Sequence, residues 1–191
     1  SNVPKFEGYE TFKGLSYHTG RWPHEGVNFS GLRVGVIGTG SSAIQSIPEI
    51  AKEANQLTVF QRTANYTIPA RNSELTEDYV SSIKADYPGL RERARNKPAG
   101  YDIPLNSQSV LEVSREDANI EFQRRWELGG TQFLGAYGDL LLNPDANEFA
   151  ADFVKRKIRE IVSDPEIAEL LCPPNIIGCK RLCVDTDYYA T

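Results

Sequence analysis

Gly38, Gly40 and Ala43 stand in the pattern G-x-G-x-x-A, at the end of the strand-like run Leu32–Gly40 and at the start of a stretch with helical periodicity. In that setting the pattern is the turn on which a strand–turn–helix unit receives a pyrophosphate. The first glycine permits the tight turn, and the second lets backbone approach the phosphates. The small third residue lets the helix pack close to the strand. The helix N-terminus adds free N–H groups and partial positive charge. Thr39, Ser41 and Ser42 fill the remaining positions, so the expected cofactor-binding set runs through Gly38, Thr39, Gly40, Ser41, Ser42 and Ala43. Gln45, on the first turns of the helix, is a further candidate. The end of the next strand selects the cofactor. NAD sites usually carry Asp or Glu there for the ribose 2′-hydroxyl. Here the strand ends Phe60-Gln61-Arg62-Thr63, with no acid. Arg62 can meet a 2′-phosphate with a bidentate fork, and Thr63 can donate a hydroxyl. NADP(H) is favoured over NAD(H).

A second constellation precedes the strand: Phe12, Gly14, His18, Trp22 and Pro23. Local physics makes Phe12 and Trp22 large apolar anchors and Gly14 a permissive bend. On its own, His18 reads as a satisfied structural histidine. A third feature, Lys180-Arg181, reads on its own as a solvated pair in a loop. Cys172, Cys179 and Cys183 are an odd set with no nearby histidine. They match neither a disulfide framework nor a zinc pattern, and read as reduced structural thiols of a cytoplasmic protein. No metal site is expected.

These groups need elements to hold them. The chain has 191 residues, enough for one domain with a real core. Its 40% hydrophobic and 25% charged content is that of a globular protein. A net charge of −5 argues against a nucleic-acid partner. No apolar run approaches the roughly 18 residues of a membrane helix. Residues 1–30 are rich in Gly, Pro and aromatics and read as an ordered linker. Residues 31–72 form a βαβ unit: a buried strand over Leu32–Gly40, a helix with Ile44, Ile47, Ile50 and Ala51 on one face, and a second strand over Leu57–Arg62. Pro48 is tolerated near the first turns. Residues 73–171 read as almost wholly helical. Ser114 is the expected N-cap of one helix, with Asp117 at the capping-box position and Gly129-Gly130 as its end. Phe149, Phe153, Ile158, Ile161 and Val162 form the apolar stripe of another, and Asp164-Pro165 starts a last short helix. Residues 172–191 return toward the sheet. The expected class is α/β: a partial Rossmann-type domain with a mostly helical insertion. There is no methionine, and the ends are abrupt, so a piece of a longer protein is expected. Ser1-Asn2 reads either as a tag remnant or as native sequence.

With these residues in place, the chain resembles the NADP-binding region of the Baeyer–Villiger monooxygenases, flavoenzymes of the phenylacetone, cyclohexanone and steroid monooxygenase type. The family fingerprint F-x-G-x-x-x-H-x-x-x-W-P is matched by Phe12, Gly14, His18, Trp22 and Pro23. "GTGSSAIQ", "VFQRT" and "GCKRLCVDTDYY" are also family-like, and the resemblance covers nearly the whole chain. It implies that His18 couples domain movement to catalysis. It implies that Lys180 holds the 2′-phosphate with Arg62 and Thr63, and that Arg181 stabilises an anionic flavin peroxide and the nicotinamide. A permanent guanidinium charge suits that task. The intact protein would use FAD, NADPH and O2 to convert a ketone into an ester or lactone. FAD would bind a glycine motif outside this chain, so the fragment alone is expected to be inactive. Unpaired strand edges predict self-association of such a fragment. Two alternatives stand beside this: an N- or S-oxidising flavin monooxygenase, against which Trp22 argues, and a stand-alone NADP(H)-binding module.

Overall fold

A computed structural model describes residues 2–191. Ser1, part of the ambiguous opening dipeptide, lies outside them. Strand β1 (Arg33–Ile37) pairs in parallel with β2 (Gln56–Phe60), from Arg33 opposite Gln56 to Ile37 opposite Phe60. Helix α1 (Ser41–Glu53) connects them. It buries Ala43, Ile44, Ile47 and Ile50, the spacing that places an apolar stripe on one face. Pro48 stands inside the helix and is itself buried on that face. The run before β1 is tied to the end of α1: Phe29 N–H donates to Glu53 Oε2 at 3.1 Å, and Ser30 bridges Ala54.

The strands are less buried than their composition suggests. Residues alternate between exposed and half-buried along both, and Ile37 and Phe60 are 67% and 58% exposed. A two-stranded sheet with a helix on one side covers only the side chains that point toward that helix. Residues 172–191 do not rejoin this sheet. They form β4 (Cys183–Asp185), which pairs in parallel with a short β3 (Thr67–Pro69) in a second sheet. Strand β3 was not expected from the sequence. It has three residues and ends in proline, too short for any alternation to show.

Between β3 and β4 lie α2 (Glu77–Ala85), α3 (Tyr87–Arg95), α4 (Arg115–Leu128), α5 (Pro144–Ile161) and α6 (Pro165–Leu171). This stretch is helical but interrupted: residues 96–114 and 129–143 are loop with short 3-10 turns. Ser114 Oγ accepts from Asp117 N–H at 3.0 Å and caps α4. Gly129 and Gly130, at φ +70° and +64°, end it. Asp164 Oδ1 accepts from Glu166 and Ile167 N–H and caps α6. On α5, Phe153 and Ile158 are buried and Phe149 and Val162 half-buried, whereas Ile161 is exposed. Phe122, Trp126, Phe133, Tyr137 and Phe153 form an aromatic cluster with ring centroids 5.4–6.4 Å apart. The core runs without a break from this cluster to Ile44, Ile47, Tyr66 and Ile68, so α1 and the long helices share one interior. No helix among the described residues is long and apolar enough to cross a membrane.

Candidate functional site

The glycine turn sits where β1 hands over to α1. Gly38 adopts φ +96°, a backbone region that residues with a Cβ avoid, and its N–H donates to Phe60 O at 2.9 Å. Gly40 is different. Its φ is −79°, and a Cβ placed on it would meet nothing within 4 Å. No contact within this chain requires glycine there, and the space beside it is open. Open space at a helix N-terminus, beside backbone N–H groups, suits the close approach of a phosphate. Thr39 is 7% exposed, and its hydroxyl donates to Thr63 O at 3.2 Å. Ala43 is buried against the core. Ser41 Oγ accepts from Gln45 Nε2 at 3.2 Å, so these two side chains hold each other at the rim. Ser42 and Gln45 are exposed.

Two cation-bearing segments converge on this end of the unit. After β2 the chain is anchored by Gln61, whose Nε2 donates to Leu170 O at 2.8 Å. Asn65 Nδ2 contacts Cys183 Sγ at 3.2 Å, and Cys183 N–H donates to Tyr66 O at 3.1 Å. These contacts bring the segment carrying Arg62 and Thr63 beside the segment carrying Lys180 and Arg181. Arg62, Lys180 and Arg181 are exposed, and none is in an ion pair among the described residues. Exposed cations without ion-pair partners suit a polyanion. Among the described residues no cluster of three or more His, Cys, Asp or Glu is placed to hold a metal ion.

Burial pushes Cys172 and Cys183 above the ordinary range, which keeps both protonated. All three cysteines are free. Beside the site, Asp185 on β4 is also shifted upward by burial. Its Oδ2 accepts from Thr67 Oγ1, and its Oδ1 accepts from Tyr188 N–H at 3.0 Å. Tyr66 is 2% exposed, its hydroxyl lies 2.9 Å from Asn175 O, and burial raises it to about 12.

The Phe12–Pro23 constellation is local architecture in front of β1. The Phe12 ring lies over Gly14 so closely that a Cβ there would stand 2.6 Å from Phe12 Cζ. His18 is half-buried and caps the 3-10 turn Thr19–Arg21, with Nδ1 accepting from Gly20 N–H at 3.0 Å. That bond requires a lone pair on Nδ1. Trp22 follows and packs between Tyr17 and the buried Phe29, at centroid distances of 5.9 and 6.1 Å. The spacing from His18 to Trp22 thus fastens the linker to the entrance of β1. The structure places His18 in a turn and shows no contact of it with the glycine turn.

Sequence reasoning missed Gln61, Asn65 and Asn147 as holders of the site. Asn147 could have been found. It occupies the buried face of α5 with Ala150, Ala151, Val154 and Ile158, at spacings that make a polar residue there conspicuous. Gln61 and Asn65 carry no such signal.

No family model matches the chain. It is 38% identical, over 99% of its length, to a phenazine N-monooxygenase from Lysobacter antibioticus, of which it spans 35%. Along its full length it is 40% identical to a cyclohexanone 1,2-monooxygenase from Acinetobacter, again spanning 35%. A solved steroid monooxygenase in its oxidized, NADP-bound form superposes with a TM-score of 0.94 at 48% identity, over all of this chain and 36% of that one. The chain therefore spans about a third of the length of the relatives it matches. In sequence and in fold, the chain is similar to these monooxygenases, and it is 38% identical, over 99% of its length and 35% of the other protein, to a Baeyer–Villiger monooxygenase from Pseudooceanicola batsensis.

Proposed function

We propose that this chain is the NADP(H)-binding part of an FAD- and NADPH-dependent Baeyer–Villiger monooxygenase. Residues 31–72 and 172–191 make up a partial Rossmann-type domain, 73–171 its helical insertion, and 1–30 the fingerprint linker. The observation that supports this most directly is the open space beside Gly40 at the N-terminus of α1, together with Arg62, Lys180 and Arg181, which are exposed and in no ion pair among the described residues. The turn from Gly38 to Ala43 receives the pyrophosphate on backbone N–H groups. Arg62, Thr63 and Lys180 hold the 2′-phosphate, and Gln45 and Ser41 border the entry. Arg181 carries a fixed positive charge toward the reacting end. His18 holds the linker turn, so its role is in domain movement rather than proton transfer. When bound, NADPH supplies a hydride and FAD the oxygen-activating chemistry. The balanced reaction takes ketone, O2, NADPH and a proton to ester or lactone, water and NADP+. Small molecules are the partners in this reading, with no nucleic acid or membrane, and the free cysteines suit a cytoplasmic setting.

The likeness to a phenazine N-monooxygenase favours one second reading, oxygen transfer to a ring nitrogen. Calorimetric titration of the chain with NADP+ and with NAD+ tests the cofactor. Binding of NADP+ in preference to NAD+, lost in Arg62→Ala, is expected; equal binding of both overturns it. Offering ketones and N-heteroaromatics to the longer protein separates the two oxygen-transfer readings by product.

A further inference from the structure

We infer that Asn147, deep in the helical region, is a positioning residue for the loop that carries Lys180 and Arg181. Asn147 is 4% exposed and uses its side-chain amide completely. Nδ2 donates to Leu140 O at 2.7 Å and to Ile177 O at 2.8 Å, and Oδ1 accepts from Ile177 N–H at 3.0 Å. Gripping both the N–H and the C=O of one residue fixes the orientation of that stretch of backbone as a strand partner would. Ile177 itself is fully buried. The next residue, Gly178, has φ +92°, a backbone region that favours glycine, and packs against the end of the Leu141 side chain. Lys180 follows two residues later.

The same loop is held from the β3–β4 side. Tyr66 Oη lies 3.3 Å from Pro173 O and 2.9 Å from Asn175 O, and Cys183 N–H donates to Tyr66 O. Residues 177–183 are therefore pinned at both ends, by Asn147 at Ile177 and by Tyr66 at Cys183, with Lys180 and Arg181 exposed between the pins. One pin belongs to the cofactor unit. The other, Asn147, belongs to α5. The helical region thus sets where the two cations stand, and a shift of α5 relative to β3–β4 moves them. Removing the Asn147 amide leaves the buried Ile177 N–H and C=O and the Leu140 C=O without a partner, which favours a rearranged loop.

This inference rests on the assignment of Lys180 to the 2′-phosphate, and the test separates the two. Asn147→Ala, Ile158→Ala and Lys180→Ala are compared in the full chain by NADP+ and NAD+ titration and by hydrogen exchange. Asn147→Ala is expected to weaken NADP+ binding about ten-fold, to leave NAD+ binding nearly unchanged, and to speed exchange at residues 178–182. Ile158→Ala, a cavity elsewhere on α5, lowers stability but keeps the NADP+/NAD+ ratio. The inference is overturned if Asn147→Ala keeps the wild-type ratio while Lys180→Ala lowers it. It is equally overturned if Ile158→Ala lowers the ratio as much as Asn147→Ala does. Unchanged NADP+ binding in Lys180→Ala overturns the underlying assignment, and with it the cofactor clause, whatever Asn147→Ala does. Should Asn147→Ala fail to fold, Asn147→Ser, which keeps a hydroxyl in the same space, carries the comparison.

Discussion

The Thr39 hydroxyl donates to the Thr63 carbonyl oxygen at 3.2 Å, joining the turn after β1 to the loop after β2 across 24 positions of sequence. The phosphate cradle and the residues assigned to the 2′-phosphate are therefore one mechanical piece. Thr39→Val keeps the shape and removes the bond. It is expected to cost about 1 kcal/mol of stability and to weaken NADP+ more than NAD+. Urea unfolding and paired titrations check this, and an unchanged NADP+/NAD+ ratio counts against it.

The two glycines of the turn separate folding from binding. Gly38→Ala forces a Cβ onto a backbone at φ +96° and is expected to destabilise the chain by about 1–2 kcal/mol. The Cβ that Gly40→Val adds meets nothing within 4 Å. It should leave thermal unfolding nearly unchanged and abolish NADP+ binding. If Gly40→Val binds NADP+ normally, the cradle is not the phosphate site.

His18 and Trp22 give an optical test of the linker. His18→Ala removes the acceptor for Gly20 N–H, whereas His18→Asn restores a side-chain acceptor suited to a cap. Trp22 is 38% exposed, and Trp126, the other tryptophan, is buried. Red-shifted emission in His18→Ala and near-wild-type emission in His18→Asn are expected. Identical spectra for both would show that the turn holds without the imidazole.

The pH dependence at Asp185 has a definite sign. Burial raises its carboxyl above the ordinary 3.8, so the folded chain takes up the proton before the unfolded chain does. Ionised Asp185 therefore subtracts stability at neutral pH, and that deficit is relieved as pH falls through the raised value toward 3.8. Asp185→Asn removes the charge and keeps an oxygen for Tyr188 N–H. The advantage of the variant over wild type should be largest near neutral pH and shrink on acidification. Urea titrations at several pH values measure it; an advantage that grows toward acid contradicts the sign.

Ile37 and Phe60 are register partners, and both are more than half exposed, an apolar pair with nothing over it. The isolated chain is expected to self-associate through this face and the free strand edges. In sedimentation velocity, Ile37→Lys combined with Phe60→Lys should shift the chain toward monomer. A wild-type monomer at high concentration would remove the basis for this expectation.

What the sequence disclosed followed the range of the interactions. The turn from Gly38 to Ala43, the stripe of α1, and the caps at Ser114 and Asp164 are set by residues a few positions apart, so their spacing reveals them. Strand β3 is invisible because three residues ending in Pro69 carry no period and its partner is remote. Ile161 fits the α5 stripe by spacing yet is exposed, while Val162 just beyond the helix packs against the core, a difference that spacing within the helix does not encode. The candidate cations were named from the turn and the resemblance. Their supports, Gln61, Asn65 and Asn147, act across long separations that no local pattern encodes. Even His18, conspicuous by spacing, did not disclose that its Nδ1 serves as a cap.

Thr67 on β3 and Asp185 on β4 meet although they stand 118 positions apart. Their sheet cannot form until Asp185 has been synthesised. The turn of Gly38 and the β1–α1–β2 unit involve only near neighbours and can assemble early. The loop of Lys180 and Arg181, whose far pin is Cys183, cannot. Closing so large a loop is entropically costly and slow. During translation the glycine turn therefore precedes the loop of Lys180 and Arg181, and that loop waits for β4.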